Sequence, residues 1–190
     1  MKVSMVAASV LSLILVFPVM AESPFRKFTE NVNKADNPNV EEYVWQEGVT
    51  ELPDYPQKEN LLEFDVDAPG ARFRYFIDEK SLQVGEGDGV VRYALIIRSK
   101  SGAENVTFEG MRCNTKEYKS YAFGNGKGEW RKPRKTRWMV FNGAGYNKYR
   151  FALWEYYLCD RVKDQPRDVE EIATAIRYPS QNNSKAFLSD

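Results

Sequence analysis

The sequence predicts an α+β protein: a mainly antiparallel β-sheet, folded as a sandwich or half-barrel, with C-terminal helices packed on it. Two observations carry this prediction. From residue 61 to residue 141, short runs of alternating apolar and polar side chains are separated by glycine-rich turns such as "GEGDG" and "GNGKG", which is the pattern of antiparallel strands. After residue 147 the apolar side chains recur at helical spacing instead.

The predicted strands follow one another along the chain and are joined by tight turns. Residues 90–99, "VVRYALIIRS", are apolar on both faces for most of their length, so we expect this strand to lie at the centre of the sheet. A later strand carries Cys113 at its end. Six strands are predicted in this way, at residues 62–66, 73–77, 90–99, 106–110, 118–123 and 138–141.

Two helices are predicted in the C-terminal part. The segment "NKYRFALWEYYLC" contains few charges, so it predicts a helix that is buried over most of its circumference and ends at Cys159. The second helix begins after Asp168, an N-cap residue followed three positions later by Glu171, and stops at Pro179. Its apolar stripe consists of Val169, Ile172, Ala173 and Ile176.

The first 21 residues are typical of a secretory signal peptide. Lys2 precedes a long apolar run, and small residues stand before a cleavage site after Ala21. We therefore expect export, a periplasmic or secreted location, and no transmembrane anchor after cleavage. The predicted organisation is a signal peptide (1–21), an extended N-terminal segment (22–57), a single β-rich domain with C-terminal helices (58–180) and a flexible tail (181–190).

The composition excludes several kinds of chemistry. The chain has no histidine, so Ser-His triads and His-ligated zinc are ruled out, and we predict no cofactor, no metal and no catalytic residue. Lysine and arginine total 27, as do aspartate and glutamate, so no nucleic-acid partner is expected. Asp65 and Asp67 share a strand face, but neighbours on one strand do not flank a substrate. Glu86 and Asp88 supply too few oxygens for calcium.

The two cysteines are predicted to form a structural disulfide. Cysteines of an exported protein are more often joined than left reactive, and a bridge from Cys113 to Cys159 would fasten the helix to the sheet. The alternative is a functional thiol. That role would require a lowered pKa and often a CxxC pair, which this sequence lacks.

A run of positive charge, "RKPRKTR", lies between two tryptophans. It contains Arg131, Lys132, Arg134, Lys135 and Arg137. On a chain without net charge, this run is a candidate anion-binding patch, suited to an anionic lipid, a polysaccharide or an acidic partner. The alternative is a solvated loop whose charges keep a sheet edge from aggregating.

Several longer motifs resemble a known family. They are "LLEFDV", "SLQVGEGDGVVRYALIIRSKSGAENVTFEGMRC", "YAFGNGKGEW" and the helix ending "YYLC", together with the W-x-E of residues 45–47. With the exported N-terminus, they resemble the cryptic neisserial protein-like family of exported proteobacterial proteins. The resemblance covers residues 44–159 and is most specific over 82–130, which stops before the basic run. It implies a bacterial envelope location and a single domain, but no activity and no catalytic residues.

Two functions are compatible with these features. The leading hypothesis is a non-enzymatic binding or envelope-support protein whose partner is an unknown envelope component. The alternative is a carboxylate-dependent hydrolase that acts on an envelope polymer, because folding can bring together carboxylates that are distant in sequence. Two carboxylates facing each other in a concave pocket would favour the hydrolase, and acids scattered over convex faces would favour binding.

Overall fold

The computed structural model describes residues 44–66 and 72–179 of the 190-residue chain. The predicted signal peptide, residues 22–43 of the predicted N-terminal segment, Asp67 and the predicted tail lie outside the described residues.

An open antiparallel sheet of seven strands forms the body of the described chain. The first six strands lie side by side in sequence order, and the seventh pairs with the fifth. The predicted α+β fold, with its antiparallel sheet and C-terminal helices, is confirmed. The strands are β1 (Leu61–Phe64), β2 (Phe73–Val84), β3 (Val90–Ser99), β4 (Glu104–Arg112), β5 (Glu117–Gly124), β6 (Trp130–Arg131) and β7 (Met139–Val140).

Short helical elements precede and follow the sheet. A 3₁₀ turn (Lys58–Asn60) leads into β1, and a second one (Gly145–Asn147) leads into the C-terminal helices. The remaining elements are α1 (Lys148–Ala152), a π-helical segment (Leu153–Leu158), the paired strands β8 (Cys159–Asp160) and β9 (Gln165–Pro166), and α2 (Val169–Arg177).

The predicted helix that ends at Cys159 is present, with Cys159 as its C-cap, but its geometry changes along its length. It is one turn of α-helix followed by the π-helical segment, and Cys159 already belongs to β8. Two turns are too few for side-chain spacing to separate α from π geometry. The helix ends because Cys159 has extended backbone angles. From this residue on, the backbone hydrogen bonds are made between the paired strands β8 and β9 and no longer within the helix.

The second helix is confirmed, including its start. The side chain of Asp168 accepts a hydrogen bond from the Glu171 backbone N–H at 2.7 Å, which satisfies a donor that the helix itself cannot. Ile172, Ala173 and Ile176 are buried, but Val169 remains 37% exposed. Val169 is the first helical residue, where the apolar stripe has not yet reached the sheet.

Strand β3 is buried on both of its faces. Residues 90–96 are all buried. On one face Val91, Tyr93 and Leu95 belong to a core cluster with the C-terminal helices, and on the other face Ala94 and Ile96 belong to two smaller clusters. The sequence prediction of a central strand is thus confirmed.

The C-terminal helices cover the first face of the sheet. Leu153, Tyr157 and Leu158 from the π-helical segment, with Ile172 and Ile176 from α2, are at most 2% exposed and pack in one cluster with β2, β3 and β4. This cluster is the largest of the three clusters of buried residues in the described chain, and burial of apolar side chains is the main favourable term in folding.

The second face is covered by an extended segment, residues 45–57, which we call the N-terminal strap. Leu52 packs against the cluster around Phe108, and Tyr55 packs against the cluster around Phe76. The Tyr55 ring lies 5.1 Å from that of Trp130. Gly124 allows this approach, because a Cβ at that position would collide with the Tyr55 hydroxyl.

The predicted disulfide is present. Cys113, one residue beyond β4, is bonded to Cys159, with their Cα atoms 5.7 Å apart. Both cysteines are buried, and the Trp154 indole N–H donates to the Cys113 carbonyl at 3.0 Å. The bond therefore fastens the helical cover to the sheet, and neither thiol is available for chemistry.

Within residues 44–66 and 72–179, no helix is long and apolar enough to cross a membrane.

Removing the disulfide should destabilise the protein without changing its fold. The bond joins residues 46 positions apart, and loss of such a bridge costs roughly 2–5 kcal/mol. We expect Cys113→Ser/Cys159→Ser to lower the free energy of unfolding by that amount in urea titrations. Recovery of two freely alkylated thiols from the native parent protein would contradict the bond itself.

Candidate functional site

The five cations singled out in the sequence lie on one exposed loop. Arg131 is the last residue of β6, and the others lie between β6 and β7. All five are exposed. We call this segment, residues 131–137, the basic loop.

No cation of the basic loop forms an ion pair with an acid in the described ranges, whereas nine lysines and arginines elsewhere do. The acid nearest in sequence, Glu129, accepts a hydrogen bond from the Asn125 side chain at 2.9 Å. The basic loop is therefore a local concentration of uncompensated positive charge.

The basic loop spans the outer edge of β5. At one end, β6 pairs with residues 123 and 124 of β5, and at the other end β7 pairs with residues 117 and 118. Between these points Thr136 donates to the carbonyl of Ser120 at 2.7 Å. The loop is thus held at both ends and in the middle, which fits the edge-protection alternative as well as a binding surface.

The two tryptophans beside the basic loop face the strap. The Trp130 indole donates to the Pro53 carbonyl at 2.9 Å, and the Trp138 indole donates to Glu47 at 3.2 Å. Both rings are half-buried. The two indole rings attach the loop to the rest of the protein. A ligand of the loop would therefore be bound by its positive charges and not by the tryptophan rings.

One ion pair joins the strap to the sheet, and a second one, within the β2–β3 hairpin, supplies a hydrogen-bond acceptor for the strap. Arg92 and Asp88 are 2.5 Å apart with side chains at most 4% exposed, and Asp88 also accepts from the Gly48 N–H at 2.7 Å. Burial alone would raise the pKa of the Asp88 carboxyl, but the hydrogen bonds from Arg92 and from backbone N–H groups lower it below its ordinary value. Lys119 pairs with Glu47 at 2.6 Å.

A third ion pair is buried between the sheet and the helices. Glu109 of β4 is fully buried, and Arg150 of α1 donates to both of its carboxylate oxygens, at 2.6 and 3.0 Å. The Arg150 guanidinium lies 3.6 Å from the ring centroid of Tyr118. Burial alone would lower the pKa of Arg150, but Glu109 raises it above its ordinary value, so the guanidinium keeps its charge and the contact is structural.

The sequence analysis did not predict this ion pair, although the sequence marks one of its two residues, Glu109, as unusual. In "NVTFEGMR" the alternation places Glu109 on the same face as Thr107 and Met111, which is unusual for a charge on a buried face. Its partner lies 41 residues away, so the sequence gives no indication of the pairing.

The carboxylates that were considered for chemistry are not assembled. Asp65 is exposed, and Asp67 lies outside the described residues. Asp88 is bound to Arg92, and in the part of the chain that the structure describes no group of three or more His, Cys, Asp or Glu could hold a metal. Nothing in this geometry favours the hydrolase.

Comparisons with known proteins agree on the family. The sequence model of the CNP1-like family matches residues 40–177, which includes the strap, the sheet, the basic loop and both helices. Cryptic neisserial protein 1 of Neisseria gonorrhoeae (strain ATCC 700825 / FA 1090) is 32% identical over 135 residues, 61% of this chain. The match spans 64% of that relative's length, less than two thirds. No solved structure matches the chain.

Breaking the buried ion pair on one side should be costly. Glu109→Gln leaves the Arg150 charge buried without its partner, and such a change destabilises proteins by about 3–5 kcal/mol. We expect that loss in urea unfolding of the disulfide-bonded protein. The matched control is Glu63→Gln, since Glu63 pairs with Arg74 on the exposed surface and its loss should change stability far less. Equal effects of the two substitutions would contradict the structural role of Glu109.

Proposed function

The chain belongs to the CNP1-like family, and we propose that it is an exported, non-enzymatic protein that binds an anionic component of the bacterial envelope through the basic loop. The observation that carries the proposal is the charge imbalance of this loop: five exposed cations stand within seven residues without an acidic partner among the described residues. Elsewhere, buried and surface cations are used to hold the fold together.

The construction of the loop supports a binding role. It is attached to the sheet through β6, β7 and the Thr136 hydrogen bond, so the backbone that carries the cations is held in place. A loop whose backbone is already ordered loses less conformational entropy when it binds a ligand.

The ligand is an anionic lipid head group or an anionic polysaccharide. Because the neighbouring tryptophans are turned toward the strap, recognition rests on electrostatic attraction, and it should weaken as salt rises. Exposed charges are screened over about 8 Å at physiological ionic strength. Export, which would place the protein beside such ligands, is part of the proposal and is supported by the signal-peptide pattern of residues 1–21.

Neutralising the loop should abolish binding and leave the fold intact. We expect Arg131→Ser/Lys132→Ser/Arg134→Ser/Lys135→Ser to lose its retention on phosphatidylglycerol vesicles and on immobilised alginate at low salt. Thermal stability should stay nearly unchanged, because exposed substitutions usually shift stability by less than about 0.5 kcal/mol.

The control variant carries the same charge change on other exposed surfaces. Arg72, Lys100, Lys127 and Lys148 are exposed, and their replacement by serine should leave retention close to that of the parent. Equal loss in both variants would show that net charge, and not the loop, is responsible. Undiminished retention of the loop variant would leave edge protection as its role.

A further inference from the structure

Two Asn-Gly dipeptides occur in the sequence, Asn125–Gly126 between β5 and β6 and Asn142–Gly143 after β7. Asparagine followed by glycine can lose ammonia without an enzyme, because glycine has no side chain to hinder attack by its own backbone nitrogen. We propose that Asn142 is a modification site, which converts spontaneously to aspartate and isoaspartate, and that the fold protects Asn125 from the same reaction.

The reaction needs only the dipeptide and water. The backbone nitrogen of Gly143 attacks Cγ of Asn142, and the new N–C bond closes a succinimide ring. Nδ2 leaves as ammonia and takes the proton of the Gly143 amide. Water then opens the ring at one of its two carbonyl carbons. Opening at Cγ gives aspartate, and opening at the backbone carbon gives isoaspartate, in which the main chain passes through Cγ.

Asn142 lies in an exposed segment with few hydrogen bonds. Asn142, Gly143 and Ala144 are all exposed. One hydrogen bond holds the side chain of Asn142, whose Oδ1 accepts from the Ala144 N–H at 3.2 Å, the long end of the usual range. Within the described residues, neither Nδ2 of Asn142 nor the Gly143 N–H has a partner. The side chain can therefore turn toward the Gly143 nitrogen when a single long hydrogen bond opens.

Asn125 is held far more firmly. Its Oδ1 accepts from the backbone N–H groups of Lys127 and Glu129, both at 2.9 Å, and its Nδ2 donates to the Glu129 carboxylate at 2.9 Å. Its backbone is bonded as well, since its N–H donates to the Glu129 carbonyl at 2.9 Å and its carbonyl accepts from the Gly128 N–H at 3.2 Å. Three side-chain hydrogen bonds must therefore open before a succinimide can close at Asn125.

Conversion of Asn142 alters the connection between the sheet and its helical cover. The dipeptide lies between Phe141, which is buried in the helix-side cluster, and the 3₁₀ turn that leads into α1. Aspartate adds one negative charge, and its carboxylate can still accept the hydrogen bond from Ala144. Isoaspartate lengthens the main chain by one carbon atom, so we expect this form to have the lower melting temperature.

The test is incubation of the folded, disulfide-bonded protein in mildly alkaline buffer, with its peptides followed by mass spectrometry. Position 142 should show the exchange of an amide for a carboxyl group and should yield isoaspartate as well as aspartate. Its rate should rise with pH, because the attacking nitrogen must lose its proton. Asn125 should convert more slowly by about tenfold or more, since two additional hydrogen bonds have to open.

Controls separate the effect of the fold from that of the sequence. In the chain unfolded with guanidinium, both dipeptides should convert at similar rates. Gly143→Ala should slow conversion at Asn142 and keep the fold, because Gly143 lies outside the left-handed region and a Cβ there would be 3.5 Å from the Phe151 ring, an ordinary contact. Glu129→Ala removes a hydrogen bond from Asn125, so it should accelerate conversion there and leave Asn142 unchanged.

Several results would overturn the proposal. They are an Asn142 that stays intact in the folded protein while the unfolded chain converts, and equal rates for Asn125 and Asn142 in the folded protein. Aspartate at position 142 without isoaspartate would indicate direct hydrolysis, and undiminished conversion in Gly143→Ala would contradict the succinimide step. None of these results depends on the basic loop or on its ligand.

Discussion

The structure depends on one constraint, the burial of β3 on both faces. An open sheet with a strand of this kind must be covered twice, because either face left bare would expose a contiguous apolar surface to water. The C-terminal helices cover one face and the strap covers the other. Residues 45–57, which have no regular secondary structure, therefore contribute to the fold by covering the second face, with Leu52 and Tyr55 partly buried against it.

The two covers are attached by different interactions. On the helix side, a disulfide and the Glu109–Arg150 pair join the cover to the sheet. On the strap side, the attachment consists of the Glu47–Lys119 pair, the hydrogen bond from the Gly48 N–H to the ion-paired Asp88, and indole hydrogen bonds. Most of the buried charged side chains take part in these attachments. The basic loop stands out because its cations contribute to none of these attachments, which is the reason to look for its partner outside the molecule.

Much of the fold could be predicted from the sequence because its signals are local. A run that is apolar on both faces located β3, the Asp168 cap located the start of α2, and the two cysteines of the chain could pair only with each other. Contacts between distant segments could not be predicted. Asp78 resembles a solvated strand residue until the register shift between β2 and β3 and the strap enclose it, and Arg150 gives no sign that it reaches Glu109.

The central claim is that both covers belong to the cooperative core, and the four tryptophans report on it directly. Three indole N–H groups bind the strap to the sheet or the loop, and the fourth, that of Trp154, donates to the Cys113 carbonyl on the helix side. Native-state hydrogen exchange of these protons by NMR measures the opening of each cover. We predict that all four open with a free energy close to that of β3. Rapid exchange at Trp45, Trp130 and Trp138 while β3 stays protected would contradict this account, because the strap would then be a loosely attached segment.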